Sequence, residues 1–77
     1  MFTIKTTTTT NYIIQLYTVD ENNNLDMQTI IYNNRYDFDL KVLELKKQNA
    51  NFALYQKTTT ENEQGHKKVE SVLLGQN

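Results

Sequence analysis

Residues 34–48 read Asn34-Arg-Tyr-Asp-Phe-Asp-Leu-Lys-Val-Leu-Glu-Leu-Lys-Lys-Gln48, and this stretch decides the fold. The segments before and after it both have the alternating pattern and polar turns of β-hairpins. If residues 34–48 form a helix, the chain is a small two-hairpin sheet packed on one helix. If they are extended, the chain is an all-β meander.

The two ends of this stretch favour the helix. Asn34 is a good N-cap residue, since its side-chain oxygen can accept the free backbone N–H groups of the first turn. Acidic residues lie in the first turns and two lysines lie in the last, which the helix dipole favours. A strand would need a bulge at the adjacent apolar pair Val42-Leu43. We therefore predict an α+β domain of ββαββ order, with an antiparallel sheet of four or five strands packed on a helix over about residues 35–48; the all-β meander is the alternative.

The apolar residues of the predicted helix lie on two nearly opposite faces. At 100° per residue these faces carry, respectively, Tyr36, Leu40 and Leu43, and Phe38, Val42 and Leu45. A surface helix normally has one apolar stripe, so one of the two sets needs a cover other than the sheet. We expect Leu40 and Leu43 to face the sheet, and part of the second set to meet the N-terminal arm or another chain.

The flanking segments predict one hairpin each. In the first, a turn centred on Asn22-Asn23 pairs Ile14 with Ile31 and leaves apolar residues on both faces of the ribbon. In the second, a polar turn containing Gly65 pairs Leu54 with Leu73. Its turn end is polar, so we expect this hairpin to project beyond the core.

Length and composition limit the class of protein. Seventy-seven residues make one domain, 1–77, in which residues 1–10 include a run of five threonines and form an extended N-terminal arm or an edge strand. The chain has no cysteine, and its single histidine, His66, excludes a multi-histidine zinc site. Its net charge of −1 argues against a generic nucleic-acid binder. The sequence has no signal-peptide pattern and no apolar run of membrane-spanning length, so we expect a cytoplasmic protein without membrane contact.

No motif predicts a catalytic site, a cofactor site or a metal site. The stretch from Asp20 to Asp26 spaces oxygen ligands as an EF-hand loop begins, but Leu25 stands where that loop needs glycine, so a hairpin turn is the better interpretation. Asp37 and Asp39 would point about 200° apart on a helix. The one serine, Ser71, has no supporting histidine or glycine-rich elbow.

The function that fits best is therefore a non-catalytic protein-binding module, in the form of a phage or mobile-element protein that docks on and inhibits a larger host complex. Its small core and spare apolar faces are typical of adaptors and of homodimers. The expected contact residues are apolar or aromatic: Phe38, Val42, Leu45, Tyr17, Ile30 and Tyr32. The alternative is a sheet-based nucleic-acid-binding domain with stacking tyrosines and basic residues: Tyr32, Arg35, Tyr55, Lys57, Lys67 and Lys68. A structural subunit that assembles through strand edges is a third class.

Overall fold

The computed structural model describes residues 5–77, which form four strands and one helix. In chain order they are β1 (Thr6–Val19), β2 (Leu25–Tyr32), α1 (Arg35–Lys47), β3 (Asn51–Asn62) and β4 (Lys67–Gln76). The strands make one antiparallel sheet in the order β2-β1-β3-β4. The predicted ββαββ domain is confirmed, and residues 35–47 are helical instead of extended. Of the predicted N-terminal arm, residues 1–4 lie outside the described residues, while Thr6–Thr10 are the start of β1.

Helix α1 begins and ends where its local chemistry predicts. The Asn34 side-chain oxygen accepts the backbone N–H of Tyr36 at 2.7 Å and that of Asp37 at 3.4 Å, which satisfies two of the free donors of the first turn. At the other end, the Gln48 N–H donates to the carbonyl of Glu44, and Asn49 adopts a left-handed conformation with φ of 54°. The chain then enters β3 two residues later.

Substitution of Asn34 by alanine is expected to lower the free energy of unfolding by about 1 kcal/mol, because the backbone N–H groups of Tyr36 and Asp37 lose the side-chain oxygen to which they donate. Urea denaturation followed by circular dichroism measures this change. The matched control is Asn33→Ala, at the neighbouring exposed position, which should change the free energy by less than about 0.5 kcal/mol. Equal effects at the two positions would contradict the capping role.

The first hairpin turn is organised by one carboxylate. Asp20 Oδ1 accepts the backbone N–H of Asn22 at 2.9 Å and that of Asn24 at 2.8 Å, while Asn23 takes the left-handed conformation with φ of 62°. The hydrogen bond from the Asn24 backbone, followed by that from Asn22, lowers the pKa of Asp20 because these donors favour the charged carboxylate.

The lowered pKa of Asp20 predicts a pH dependence of hairpin stability. The pKa in the folded chain lies below the ordinary value of 3.8. The stabilisation by the charged carboxylate is therefore fully present above that ordinary value and is lost as the pH falls through the folded-state pKa. Titration of the Asp20 carboxyl carbon by NMR should give a midpoint below 3.8. A midpoint at or above that value would contradict the turn geometry.

The strand registers differ by one residue from the predicted ones. In the first hairpin Ile14 pairs with Ile30, not Ile31, because the loop has five residues, 20–24, and is centred on Asn22. In the second hairpin Tyr55 pairs with Leu73, and a bulge shifts the pairing so that Leu54 lies opposite Gly75. The last pair before this turn is Glu61 with Lys67, so five residues, 62–66, separate the paired positions, and the first of them is the end of β3. A shift of one residue moves a side chain to the other face of the sheet, so both differences change which residues are available for contacts.

The core lies between α1 and one face of the sheet. Its buried side chains are Ile14, Phe38, Val42, Leu45, Phe52 and Leu54. The prediction that Leu40 and Leu43 face the sheet is therefore wrong: both are exposed, as is Tyr36. The physical reason lies in the aromatic residues of the two stripes. The Phe38 ring packs against the rings of Tyr12 and Tyr32, with centroids 5.3 and 6.4 Å away, whereas a buried Tyr36 would need a partner for its hydroxyl.

Three strands extend past the part of the sheet that the helix covers, and this three-stranded extension is called the arm below. It is built from residues 6–11 of β1, 57–62 of β3 and 67–70 of β4, and contains no buried residue. Residues 6–11 of β1 pair with β3 on one side only, because β2 pairs with β1 from Tyr12 onward. The second hairpin thus projects beyond the core, as its polar turn end predicts, and the molecule measures 62 × 25 × 15 Å.

Candidate protein-binding surface

The sheet has one face covered by α1 and one face without a cover, here called the open face. Strand side chains alternate between the two faces. Because Ile14 and Leu54 point into the core, their odd-numbered neighbours in β1 and β3 lie on the open face. The register then assigns the facing residues of β2 and β4. The open face can therefore be described row by row across the strands.

Four rows form the part of the open face that lies behind the helix-covered core. We call these rows the bare patch: Ile31, Ile13, Tyr55 and Leu73; Thr29, Gln15, Ala53 and Gln76; Met27, Tyr17 and Asn51; Leu25 and Val19. The first row is apolar or aromatic on all four strands. Its two outer members, Ile31 and Leu73, are 64% and 52% exposed. Apolar side chains are thus contiguous across the full width of the sheet.

The bare patch contains no charged residue. The chain as a whole is 22% charged, so about three of these thirteen positions would carry a charge at the average frequency. The charged residues of the open face, Lys57, Glu61 and Lys67, all lie in the arm. Depletion of charge together with exposed aliphatic and aromatic residues is the composition of the core of a protein–protein interface, not of a solvated sheet face.

Part of the polar chemistry of the bare patch is already satisfied within the chain. The Tyr17 hydroxyl donates to the Gln15 side-chain oxygen at 3.1 Å, and both residues lie on the open face. A partner can therefore cover Tyr17 without leaving its hydroxyl proton unpaired. This lowers the desolvation cost of binding at this surface.

The predicted contact residues are not brought together. Phe38, Val42 and Leu45 are buried in the core and are not a contact surface in this fold, because the opposite stripe of α1 is the one that faces away from the sheet. Ile30 and Tyr32 lie on the helix side of the sheet, half-buried against the core cluster. Their predicted place beside Tyr17 depended on the register that is wrong by one residue. Among the predicted contacts, Tyr17 alone lies on the open face.

The residues of the nucleic-acid alternative are divided between different surfaces. Tyr55, Lys57 and Lys67 lie on the open face. Lys68 lies on the other face of β4, where its ammonium pairs with Glu70 at 3.0 Å. Tyr32 packs on Phe38, as described above. Arg35 lies at the start of α1, where its guanidinium stacks over the Tyr12 ring at 5.3 Å and contacts Asp39 at 3.0 Å.

Sequence reasoning missed the exposed apolar residues of the open face. The predicted registers assigned Ile31 and Leu73 to the opposite face, and the same shift of one residue applies to Met27. The sequence carried only part of the signal: the odd-numbered positions of β2 are uncharged, whereas Asp26 lies among the even-numbered ones. Because β1 has no charged residue on either face, a count of charges could not choose the register between these two strands.

A second apolar surface lies on the outer side of α1. It consists of Tyr36, Leu40 and Leu43, which are spaced to form one stripe. Ion pairs flank it on both sides: Arg35 with Asp39, and Lys41 with Glu44 at 3.5 Å. This stripe is narrower than the bare patch and is bordered by charge, so it is the weaker candidate for an interface core.

Residues 5–77 contain neither a cluster of metal ligands nor a membrane-spanning helix. No group of three or more His, Cys, Asp or Glu side chains in this range is placed to hold a metal ion. The single helix, α1, has 13 residues and is too short and too polar to cross a membrane. Comparisons with protein-family models, with curated proteins and with solved structures gave no match for this chain.

Proposed function

We propose that this protein is a non-catalytic protein-binding module, and that the bare patch of the open face is its contact surface. The observation that carries the proposal is the absence of charge from thirteen neighbouring positions that include exposed Ile31, Leu73 and Met27. Removing such side chains from water is favourable by about 25 cal/mol for each Å² of apolar surface. A partner that covers the patch gains this energy and desolvates no ion.

The chemistry of the patch favours a protein partner over a nucleic acid. Nucleic-acid affinity comes largely from cations that neutralise phosphates. The bare patch supplies none, and the two lysines of the open face, Lys57 and Lys67, lie in the arm, where Lys67 is opposite Glu61. Tyr17 and Tyr55 could stack on bases, but the Tyr17 hydroxyl is engaged by Gln15 and no basic residue follows either tyrosine within the patch. An apolar protein surface is the better complement.

The surface area of the chain also supports a binding role. A compact protein of 9.1 kDa is expected to expose about 4,900 Å². This chain exposes 6195 Å², an excess of about 1,300 Å² over that size relation. Its radius of gyration is 16.4 Å, against about 11.5 Å for a compact chain of this length. The projecting arm and the uncovered open face both contribute to this excess, and within the patch Ile31, Met27 and Leu73 are each more than half exposed.

A phage or mobile-element protein of this kind would act by docking on a larger host complex and inhibiting it. This is a special case of the proposal. The bare patch would then cover a functional surface of the target. The experiment below tests this case together with the general one, since it reports which proteins need the patch for binding.

The test is affinity capture with a matched pair of variants. Wild-type protein, Ile31→Glu and Leu40→Glu are immobilised separately, incubated with lysate of the source cell, and the retained proteins are identified by mass spectrometry. Ile31 is on the bare patch and Leu40 is on the outer stripe of α1, and both are exposed. We expect a retained partner, including the chain itself, to be lost with Ile31→Glu and kept with Leu40→Glu. The assignment of the surface would be contradicted if partners were lost only with Leu40→Glu. It would also be contradicted if the wild-type protein retained no partner.

A further inference from the structure

We infer that the partner on the bare patch is a second copy of this chain, so that two sheets pack face to face in a homodimer. This inference rests on the proposed function, because it names the occupant of the same surface. Three observations support a second copy over a different protein: the charge of the patch, the symmetry of its apolar row, and the area available.

The first observation concerns charge. An isologous interface places the same patch of both chains in contact, so a charged patch opposes itself. The bare patch is uncharged at all thirteen positions, so no like charges meet when it is duplicated. A surface that recognises a different protein commonly carries charges that steer association and select the partner. The charges that would do this, Lys57, Glu61 and Lys67, are confined to the arm.

The second observation concerns the row Ile31, Ile13, Tyr55 and Leu73, which runs across all four strands. Both of its ends are branched aliphatic residues with similar exposure, and its centre is an aliphatic residue beside an aromatic ring. A two-fold rotation therefore lays apolar side chains on apolar side chains along the whole row. Two sheets packed in this way at about 10 Å have the geometry of a β-sandwich core.

The third observation concerns area. Five apolar residues of the patch are each more than half exposed in one chain, and a face-to-face homodimer covers them on both chains: Val19, Leu25, Met27, Ile31 and Leu73. Burial of about 800 Å² or more on each chain gives an interface of standard size or larger. The core between α1 and the sheet contains six buried apolar residues, so a second core between two sheets would add substantially to it.

The experiment compares two adjacent residues of β4 that lie on opposite faces of the sheet. Leu73 is on the bare patch and is 52% exposed, whereas Val72 is on the helix side and is 58% exposed. Both side chains are largely in solvent in one chain, so glutamate at either position should leave the fold intact, which circular dichroism checks. Size-exclusion chromatography with light scattering gives the mass of wild-type, Leu73→Glu and Val72→Glu protein over a range of concentrations.

We expect wild-type and Val72→Glu protein to have twice the mass of one 9.1 kDa chain. Leu73→Glu should raise the dissociation constant of the dimer about 30-fold or more, because it places a charge against the apolar row of the second chain. A wild-type chain that stays monomeric up to about 1 mM would overturn the inference. A dimer that resists Leu73→Glu, or that only Leu40→Glu dissociates, would also overturn it. If the chain is monomeric and captures a different protein that Ile31→Glu releases, the homodimer is overturned. The proposed function as a protein-binding module then still stands.

Discussion

Phe38→Ala is expected to lower the free energy of unfolding by about 3–5 kcal/mol. Phe38 is 2% exposed, and the Tyr12 and Tyr32 rings pack against it from the sheet. Its removal leaves a cavity at the contact between α1 and the sheet. A domain of this size has a total stability of about 4–12 kcal/mol, so the variant should be partly unfolded at room temperature. Urea denaturation followed by circular dichroism measures the loss.

The control for this prediction is Leu40→Ala, two positions further along the same helix. Leu40 is 48% exposed, and alanine is a better helix former, so the change should be within about 0.5 kcal/mol of zero. If Leu40→Ala were the more damaging substitution, the stripe with Tyr36, Leu40 and Leu43 would be the one that faces the sheet, and the packing of α1 described above would be wrong.

Leu45→Glu and Leu43→Glu are expected to have opposite outcomes. Leu45 lies within the core cluster and is 2% exposed, so glutamate there is buried without a partner. The carboxyl must either lose its charge or pull α1 away from the sheet, and a loss of about 3 kcal/mol or more follows. This variant should show little helical signal near neutral pH and regain part of it as the pH falls, since protonation removes the charge.

Leu43→Glu introduces the same side chain on the outer face of α1. There it lies four residues before Lys47 and three before Lys46, which is the favourable order for ion pairs along a helix. The expected change is within about 0.5 kcal/mol of zero. Thermal melts of both variants at neutral and acidic pH provide the measurement. Similar melting temperatures for the two would be incompatible with a helix that buries one stripe and exposes the other.

The sequence predicted the order of elements correctly because local chemistry determines their ends. The cap at Asn34, the lysines at 46 and 47, and the short polar segments between the strands of each hairpin all act over a few residues. The predicted helix, about 35–48, agrees with the observed Arg35–Lys47 to one residue at its end. The pairing of β1 with β3, which builds the centre of the sheet, joins residues up to 56 positions apart, Thr6 and Asn62, and no local signal predicts it.

The sequence did not predict which side chains face the core in α1 and in the two hairpins. In all three elements the answer depends on packing across the whole sheet. The two stripes of α1 are both apolar, so periodicity could not choose between them, whereas the position of Phe38 between two tyrosine rings does. The two hairpin registers were set by loop centres that are wrong by half a residue. Each error assigned residues to the wrong face of the sheet, as it did for Ile31. Because of these errors, the sequence did not predict the bare patch.

The most direct test of the central claim, that the bare patch is covered by a second chain, is an isotope-filtered NOE experiment. The sample contains equal amounts of chains with ¹³C-labelled methyl groups and unlabelled chains, so that only contacts between chains give signals. We predict such signals for methyl groups of Ile13, Ile31 and Leu73. Signals from Leu40 and Leu43 alone, or no signals between chains at about 1 mM protein, where a dimer with micromolar affinity is nearly complete, would contradict the account.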